Sequence, residues 1–295
     1  MTGIYNDNNP KSGQPPPVLG AWIQDQLAEL RDGPLRRLAN LRAQLQSTAF
    51  EWDATVLAQT VGNLRSAGRE LRFDSLKHGW LARRMGKHKP AYTRFAGARE
   101  RIVDAAQKVK AETARLAGTL KTHTAAVKRL LVDLGMEAQS VQAEVDQGVT
   151  WLQDMCVQIN EQRERGSAEA QLATLAEAAQ AFTQEFKRLQ LASSMARELG
   201  LRMQGVVDRR NALVEGVRVD MEKFDKNWMR AVGKVAAEVE EGRTAFPGLN
   251  DAAQAHEDLL GRLENSAEAG TALQHEEHLL AQQLDMLRRE LEPAR

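Results

Sequence analysis

The stretch Arg101–Ile159, RIVDAAQKVKAETARLAGTLKTHTAAVKRLLVDLGMEAQSVQAEVDQGVTWLQDMCVQI, carries the reading of the fold. At spacings of three and four, Ile102, Ala106, Val109, Thr113, Leu116, Leu120, His123, Val127, Leu130 and Leu134 share one side. Ala138, Val141, Val145, Gly148, Leu152, Met155 and Ile159 continue that side without a break. An α-helix turns every 3.6 residues, so this spacing lines one face of a rod, whereas a half-buried strand would need strict alternation. No Pro-Gly breaker falls between Ala91 and Arg165. Roughly 75 residues at ~1.5 Å each predict a helix of about 110 Å, with Gly148 the place for a bend. The seam is heptad-like, diluted by small and polar members.

Downstream, Arg163–Gln171 (RERGSAEAQ) reads as a turn with Ser167 as N-cap. A second long helix is predicted from about Ala168 to Glu241. Leu172, Leu175, Ala179, Phe182, Phe186 and Leu189 keep heptad spacing there. Leu213, Val217, Met221, Phe224, Trp228, Val232 and Val235 then step by 4, 4, 3, 4, 4, 3. An eleven-residue period of that kind departs from a uniform left-handed coiled coil and implies packing inside a bundle. Pro247 and Gly248 end this helix, Asn250 or Asp251 caps the next, and the last helix reaches about Glu292, with an interruption at Gly270.

Upstream, Leu19–Gly33 reads as a short helix broken at Asp32-Gly33-Pro34, with Pro34 suited to the first turn of the next one. Leu35, Leu38, Leu41 and Leu45 mark the face of that helix, and Val56, Leu57, Val61, Leu64 and Leu71 that of its successor. Gly86 and Pro90 are expected to end regular structure briefly. The fold class is therefore all-α: an elongated antiparallel helical bundle, coiled-coil-like, with two very long helices. The predicted organisation is a polar, Pro-rich leader (1–18), a long-helix domain (19–242) with a basic hinge (73–92), and an acidic helical segment (250–292).

Composition agrees: with only 5% aromatic residues, 42% hydrophobic and 27% charged, strong helix formers dominate and strand formers are scarce. The single Cys156 cannot close an internal disulfide and suits a reducing compartment. The N-terminus lacks the basic and apolar regions of a secretory signal, and no run of about 18 apolar residues occurs. A cytoplasmic location is expected, at most peripheral to the inner face of a membrane.

Net charge is zero, but it is unevenly spread. Ser75–Arg129 holds fourteen Lys or Arg against Glu100, Asp104 and Glu112, whereas Glu238–Glu292 holds thirteen Asp or Glu against Arg243, Arg262, Arg288 and Arg289. The basic part is densest in FDSLKHGWLARRMGKHKPAY (Phe73–Tyr92), where Lys77, His78, Arg83, Arg84, Lys87, His88 and Lys89 surround Trp80. One reading sets basic and acidic helices side by side, fixing the bundle's direction or the choice of a helical protein partner or a second copy. Another turns Lys77, Trp80, Arg83, Arg84, Lys87 and Lys89 outward to an anionic lipid surface, each cation contributing about 1 kcal/mol there. Phe73, Leu76 and Trp80 share a helical face, but Arg84 and Lys87 return to the same side, so the stretch is no clean amphipathic wedge. Nucleic acid is disfavoured, since the stretch has no helix-turn-helix signature, zinc ligands or interleaved aromatics.

No pattern for catalysis emerges, and neither a cofactor nor a metal is expected. HEEHL (His275–Leu279) spaces its imidazoles by three, where a zinc helix needs four, and no third ligand follows. It reads as an exposed polar face. His123 lies on the long seam as a neutral imidazole, and His256 fits no pattern. Cys156, close to Asp154, reads as a small packing residue. Phosphate-cradling glycine loops and a nucleophile elbow are absent.

Three stretches together resemble the toxic anion resistance (TelA-like) family of bacterial tellurite-resistance proteins. The first, Thr60–Lys87, carries Gly79, Trp80, Leu81, Arg83 and Arg84, similar to that family's Gly-aromatic-Leu-basic core. The second, Pro90–Leu120, resembles its entry into a long helix through a Tyr, here Tyr92. The third, Phe186–Val232, resembles its late helix with an Asn before a hydrophobic run ending in Trp, here Asn211 and Trp228. The Asp that usually follows the long-helix Leu pair is replaced by LKTHTAAV (Leu120–Val127). The resemblance spans roughly Val61–Val235. It implies a bacterial cytoplasmic helical protein of a tellurite or cell-envelope stress response, without catalytic residues to carry over.

Overall fold

The computed structural model describes residues 25, 28–29, 31–76, 89–166, 169–243 and 245–292. Among them are helices and turns, and no strand. A π-helical turn, Arg31–Leu35, leads into α1, Arg36–Phe50. Next come α2, Thr55–Glu70, and a 3-10 turn, Asp74–Leu76. The long helix α3 is Lys89–Glu164, 76 residues, and α4 is Glu169–Lys223, 55 residues. A π turn, Phe224–Trp228, joins α4 to α5, Met229–Glu240, and α6 is Leu249–Leu291. The all-α class with two very long helices stands.

The predicted seam of α3 is the buried face: every named member is buried except His123, Leu130 and Leu152, which are half-buried. Several local expectations are corrected. The chain does not break at Asp32-Gly33-Pro34, because a wide π turn keeps the path helical and gives the Pro34 ring room, its missing N–H leaving one bond unmade. Pro90 begins α3 instead of ending structure, since a proline is tolerated in a first turn. The second long helix is not regular. The π turn at Phe224–Trp228 takes up the irregular spacing and lets both aromatic rings stay buried. Finally, α6 runs through Gly270, which is itself buried. The expected cap Ser167 lies outside the described residues.

Two turns do need glycine. Gly166 (φ +76°) follows α3 and Gly242 (φ +67°) follows α5, both in the left-handed region. At the second, the Arg243 amide reaches the Glu238 carbonyl and the Gly242 amide that of Val239, the paired bonds of a Schellman stop.

The chain divides into two compact units, each assembled from separated segments. The first comprises Met1–Leu45, Leu130–Leu201 and Gln283–Arg295. In it, α3 and α4 run antiparallel: the Ser193 hydroxyl donates to the Ala138 carbonyl (2.7 Å), and Trp151 meets Phe182 edge-on at 4.9 Å. The Phe186 ring lies directly over Gly148, where a Cβ would fall 2.0 Å from its Cζ. Arg188 donates to the carbonyls of Glu290 and Glu292, capping the end of α6. Arg37 ties α1 to Glu137 (2.7 Å) and, at 3.5 Å, to Glu144. Burial holds the Glu144 carboxyl above its usual range despite the guanidinium.

The second unit comprises Gln46–Arg129 and Arg202–Gln282. Its core combines Leu57, Val61 and Leu64 of α2, Phe95, Ile102 and Val109 of α3, Met203, Val206 and Val217 of α4, and Leu259 and Leu263 of α6. Burying each of these larger side chains contributes about 1.5–3 kcal/mol.

Candidate functional site

The residues on either side of the basic stretch are packed within the second unit. Phe73 and Leu76 are buried before it, Phe73 packing edge-to-face on Phe95 at 5.7 Å and against His256 at 5.5 Å. After it, Ala91 is buried and the Tyr92 hydroxyl donates to the Arg243 carbonyl (3.1 Å), its ring edge-on to Phe246. Lys77, Gly79, Trp80, Leu81, Arg83, Arg84 and Lys87 lie outside the described residues, and Lys89 is described only as the start of α3.

The other predicted positions are structural. Trp228 is 1% exposed and stacks on Phe224 at 4.8 Å. Its indole N–H donates to His256 Nδ1 (3.0 Å), which makes that nitrogen the acceptor and leaves Nε2 to donate to the Gly68 carbonyl, also 3.0 Å away. His256 is therefore the neutral Nε2–H tautomer, and burial lowers its pKa below the ordinary imidazole value, the Gly68 bond and Glu257 opposing. Asn211 donates to the Val207 carbonyl one turn back (2.8 Å). Seventeen residues separate it from Trp228, about 25 Å along the helix, so the two do not share a site.

Arg210, beside Asn211, is the residue sequence reasoning missed. It is 1% exposed. Nε and Nη2 both donate to Glu277 Oε1 (2.8 and 2.6 Å), Nη1 donates to the Ala49 carbonyl (2.9 Å), and the guanidinium lies 5.0 Å over the Trp52 ring. The signal was present: Met203, Val206, Arg210, Leu213 and Val217 place it on the buried face.

Other candidates also change. The glutamates of HEEHL are engaged by arginines, Glu276 by Arg209 (3.4 Å) and Glu277 by Arg210, while His275 and His278 stay exposed. Among the described residues no group of three His, Cys, Asp or Glu could hold a metal. His123 does have a partner, the Thr48 carbonyl at 2.6 Å. Cys156 is exposed, not packed, because it falls one residue off the Met155–Ile159 seam. A pocket of about 240 Å³ beside the π turn is lined by Asp220, Asn227, Asp251 and Arg262 among others, without histidine or cysteine.

Charge pairing is the informative geometry. Glu264 receives Arg65 and, at 3.4 Å, Arg69; Glu276 and Glu277 receive Arg209 and Arg210. Among the described residues, the acidic C-terminal third thus pairs with arginines of α2, α4 and its own helix. Three described cations of the basic third turn elsewhere: Arg101 to Glu70, Lys110 to Asp225 and Arg115 to Glu112. Among the described residues no helix is long and apolar enough to cross a membrane. No family model matches the chain, and no match was found among the curated proteins or the solved structures.

Proposed function

We propose that this chain is a non-enzymatic helical binding protein whose basic stretch, Lys77 to Lys89, contacts an anionic surface, in a bacterial response to tellurite, other toxic anions or cell-envelope stress. The stress assignment comes from the resemblance to the TelA-like family. The surface contact is supported by one observation: three glutamates of the acidic helix α6, Glu264, Glu276 and Glu277, are engaged by Arg65, Arg69, Arg209 and Arg210, leaving that helix less able to neutralise the basic stretch. Attraction to anionic headgroups contributes about 1 kcal/mol per cation. The protein would act at the cytoplasmic face of a membrane without spanning it.

Co-sedimentation with phosphatidylglycerol-containing vesicles tests this reading. Pelleting should need the anionic lipid, fall with salt, and vanish when Arg83, Arg84, Lys87 and Lys89 are replaced by Ala. Equal pelleting with neutral vesicles would end it. Tellurite challenge of cells lacking the protein tests the stress assignment.

A second reading, a scaffold that pairs with partner helices or with itself, draws on Val132 and Met136, one turn apart on α3 and exposed by 60% and 57%. Light scattering over a concentration series would detect self-pairing, and Val132→Lys with Met136→Lys should abolish it.

A further inference from the structure

A second basic surface lies on described residues. Lys226 in the π turn and Arg230 and Lys234 on α5 follow one another at intervals of four, and all three are exposed. The opposite face of α5 is spent on the core, with Val232, Val235, Ala236 and Val239 buried. None of these three forms an ion pair among the described residues, whereas Arg209, Arg210 and Arg218 on the preceding helix each meet a carboxylate. Three nearby acids are committed, Asp225 to Lys110 (2.5 Å), Glu222 to Arg218 and Glu241 to Arg243 (2.7 Å), and the exposed Glu240, six positions past Lys234, falls on another side of the helix. Glu238, one turn beyond Lys234, is half-buried and carries its Oε2 inside. Like charges four apart on a helix repel, so the ladder costs the isolated fold stability and gains it back only against an external anion.

We propose that Lys226, Arg230 and Lys234 form a docking surface for an anionic lipid bilayer, distinct from the Lys77–Lys89 stretch. The proposal rests on the reading of this chain as a binder of anionic surfaces and adds where the folded part of the unit makes contact. A bilayer fits better than a nucleic acid because its headgroups gather laterally under a straight row of cations. No aromatic side chain is exposed beside the row to stack a base. With the apolar face of α5 already buried, contact is electrostatic, without insertion, and so reversible by salt.

The experiment is partition of the full chain onto vesicles of phosphatidylcholine with phosphatidylglycerol, against phosphatidylcholine alone. The variant Lys226→Gln, Arg230→Gln, Lys234→Gln should lose on the order of a hundredfold in partition, at about 1 kcal/mol per cation. Its circular dichroism and melting temperature should be no lower than the parent's. Unchanged partition in this variant, with binding abolished by alanines at Arg83, Arg84, Lys87 and Lys89, overturns the α5 surface and leaves the proposed function standing. Loss in both variants supports both surfaces. A parent chain that ignores anionic vesicles overturns both, and so does one that binds a DNA duplex through these three residues but no vesicle.

Discussion

The two compact units hold their helices together by different means. In the first, α3 and α4 interlock by shape, with Phe186 seated on bare Gly148 backbone and Trp151 against Phe182. In the second, two buried side chains bond through each of their ring or guanidinium nitrogens: Arg210 with Glu277 and Ala49 beneath Trp52, and His256 between Trp228 and Gly68. Shape tolerates substitution in proportion to volume, whereas a buried charge or imidazole tolerates it only while every partner remains. The second unit, to which both proposed basic surfaces belong, therefore adds a buried guanidinium and a buried imidazole to its apolar packing.

The largest effect should come from breaking the polar core. Arg210→Ala strands Glu277 and the Ala49 carbonyl and should cost about 3–5 kcal/mol in urea unfolding. Adding Glu277→Leu to Arg210→Met should restore much of the loss, because an apolar pair needs no partners. A full recovery by Arg210→Met alone would show that the charge was never engaged.

The two glycines sharpen the contrast. Gly148→Ala must displace a rigid ring and should cost about 1–3 kcal/mol, eased by Phe186→Leu. At Gly68 an alanine Cβ would fall 2.8 Å from the end of the Leu260 side chain and in ordinary contact, 3.7 Å, with His256 Cε1. The leucine end can swing aside, and the alanine's helix propensity, worth about 1 kcal/mol, should leave stability near that of the parent.

His256 adds a pH dependence to the second unit. Its folded pKa lies below the ordinary value of 6.5, so between the two the unfolded chain binds the extra proton. Stability should be complete above 6.5 and decline as pH falls below it, levelling under the folded pKa. His256→Gln keeps one donor and one acceptor and should flatten that part of a denaturation series. An unchanged slope would assign the drift to other groups.

The smallest effect should be of opposite sign. Arg230→Gln removes two like-charge contacts and should raise stability by about 0.2–0.5 kcal/mol per contact in low salt, with the gain fading in high salt.

Where one physical signal decides a feature, the sequence shows it. The α3 face from Ile102 to Ile159 followed from spacing, because burial of a long helix needs only a repeated apolar side. Arg210 was legible in principle, since its position repeats that side, but a charged residue suggests the surface until its partners are known. Cys156 failed for the converse reason: a small apolar type suggests burial, while one residue's offset rotates it about 100° out.

The sequence by itself determined the helical class, the buried stripe of each long helix and the separation of positive and negative thirds, all properties of neighbours along one chain. Only the tertiary structure decided which carboxylate meets which guanidinium, why Gly148 must be bare and which nitrogen of His256 bears its proton. Those depend on groups up to 199 residues apart, as Arg65 and Glu264 are, and no local periodicity encodes such a meeting.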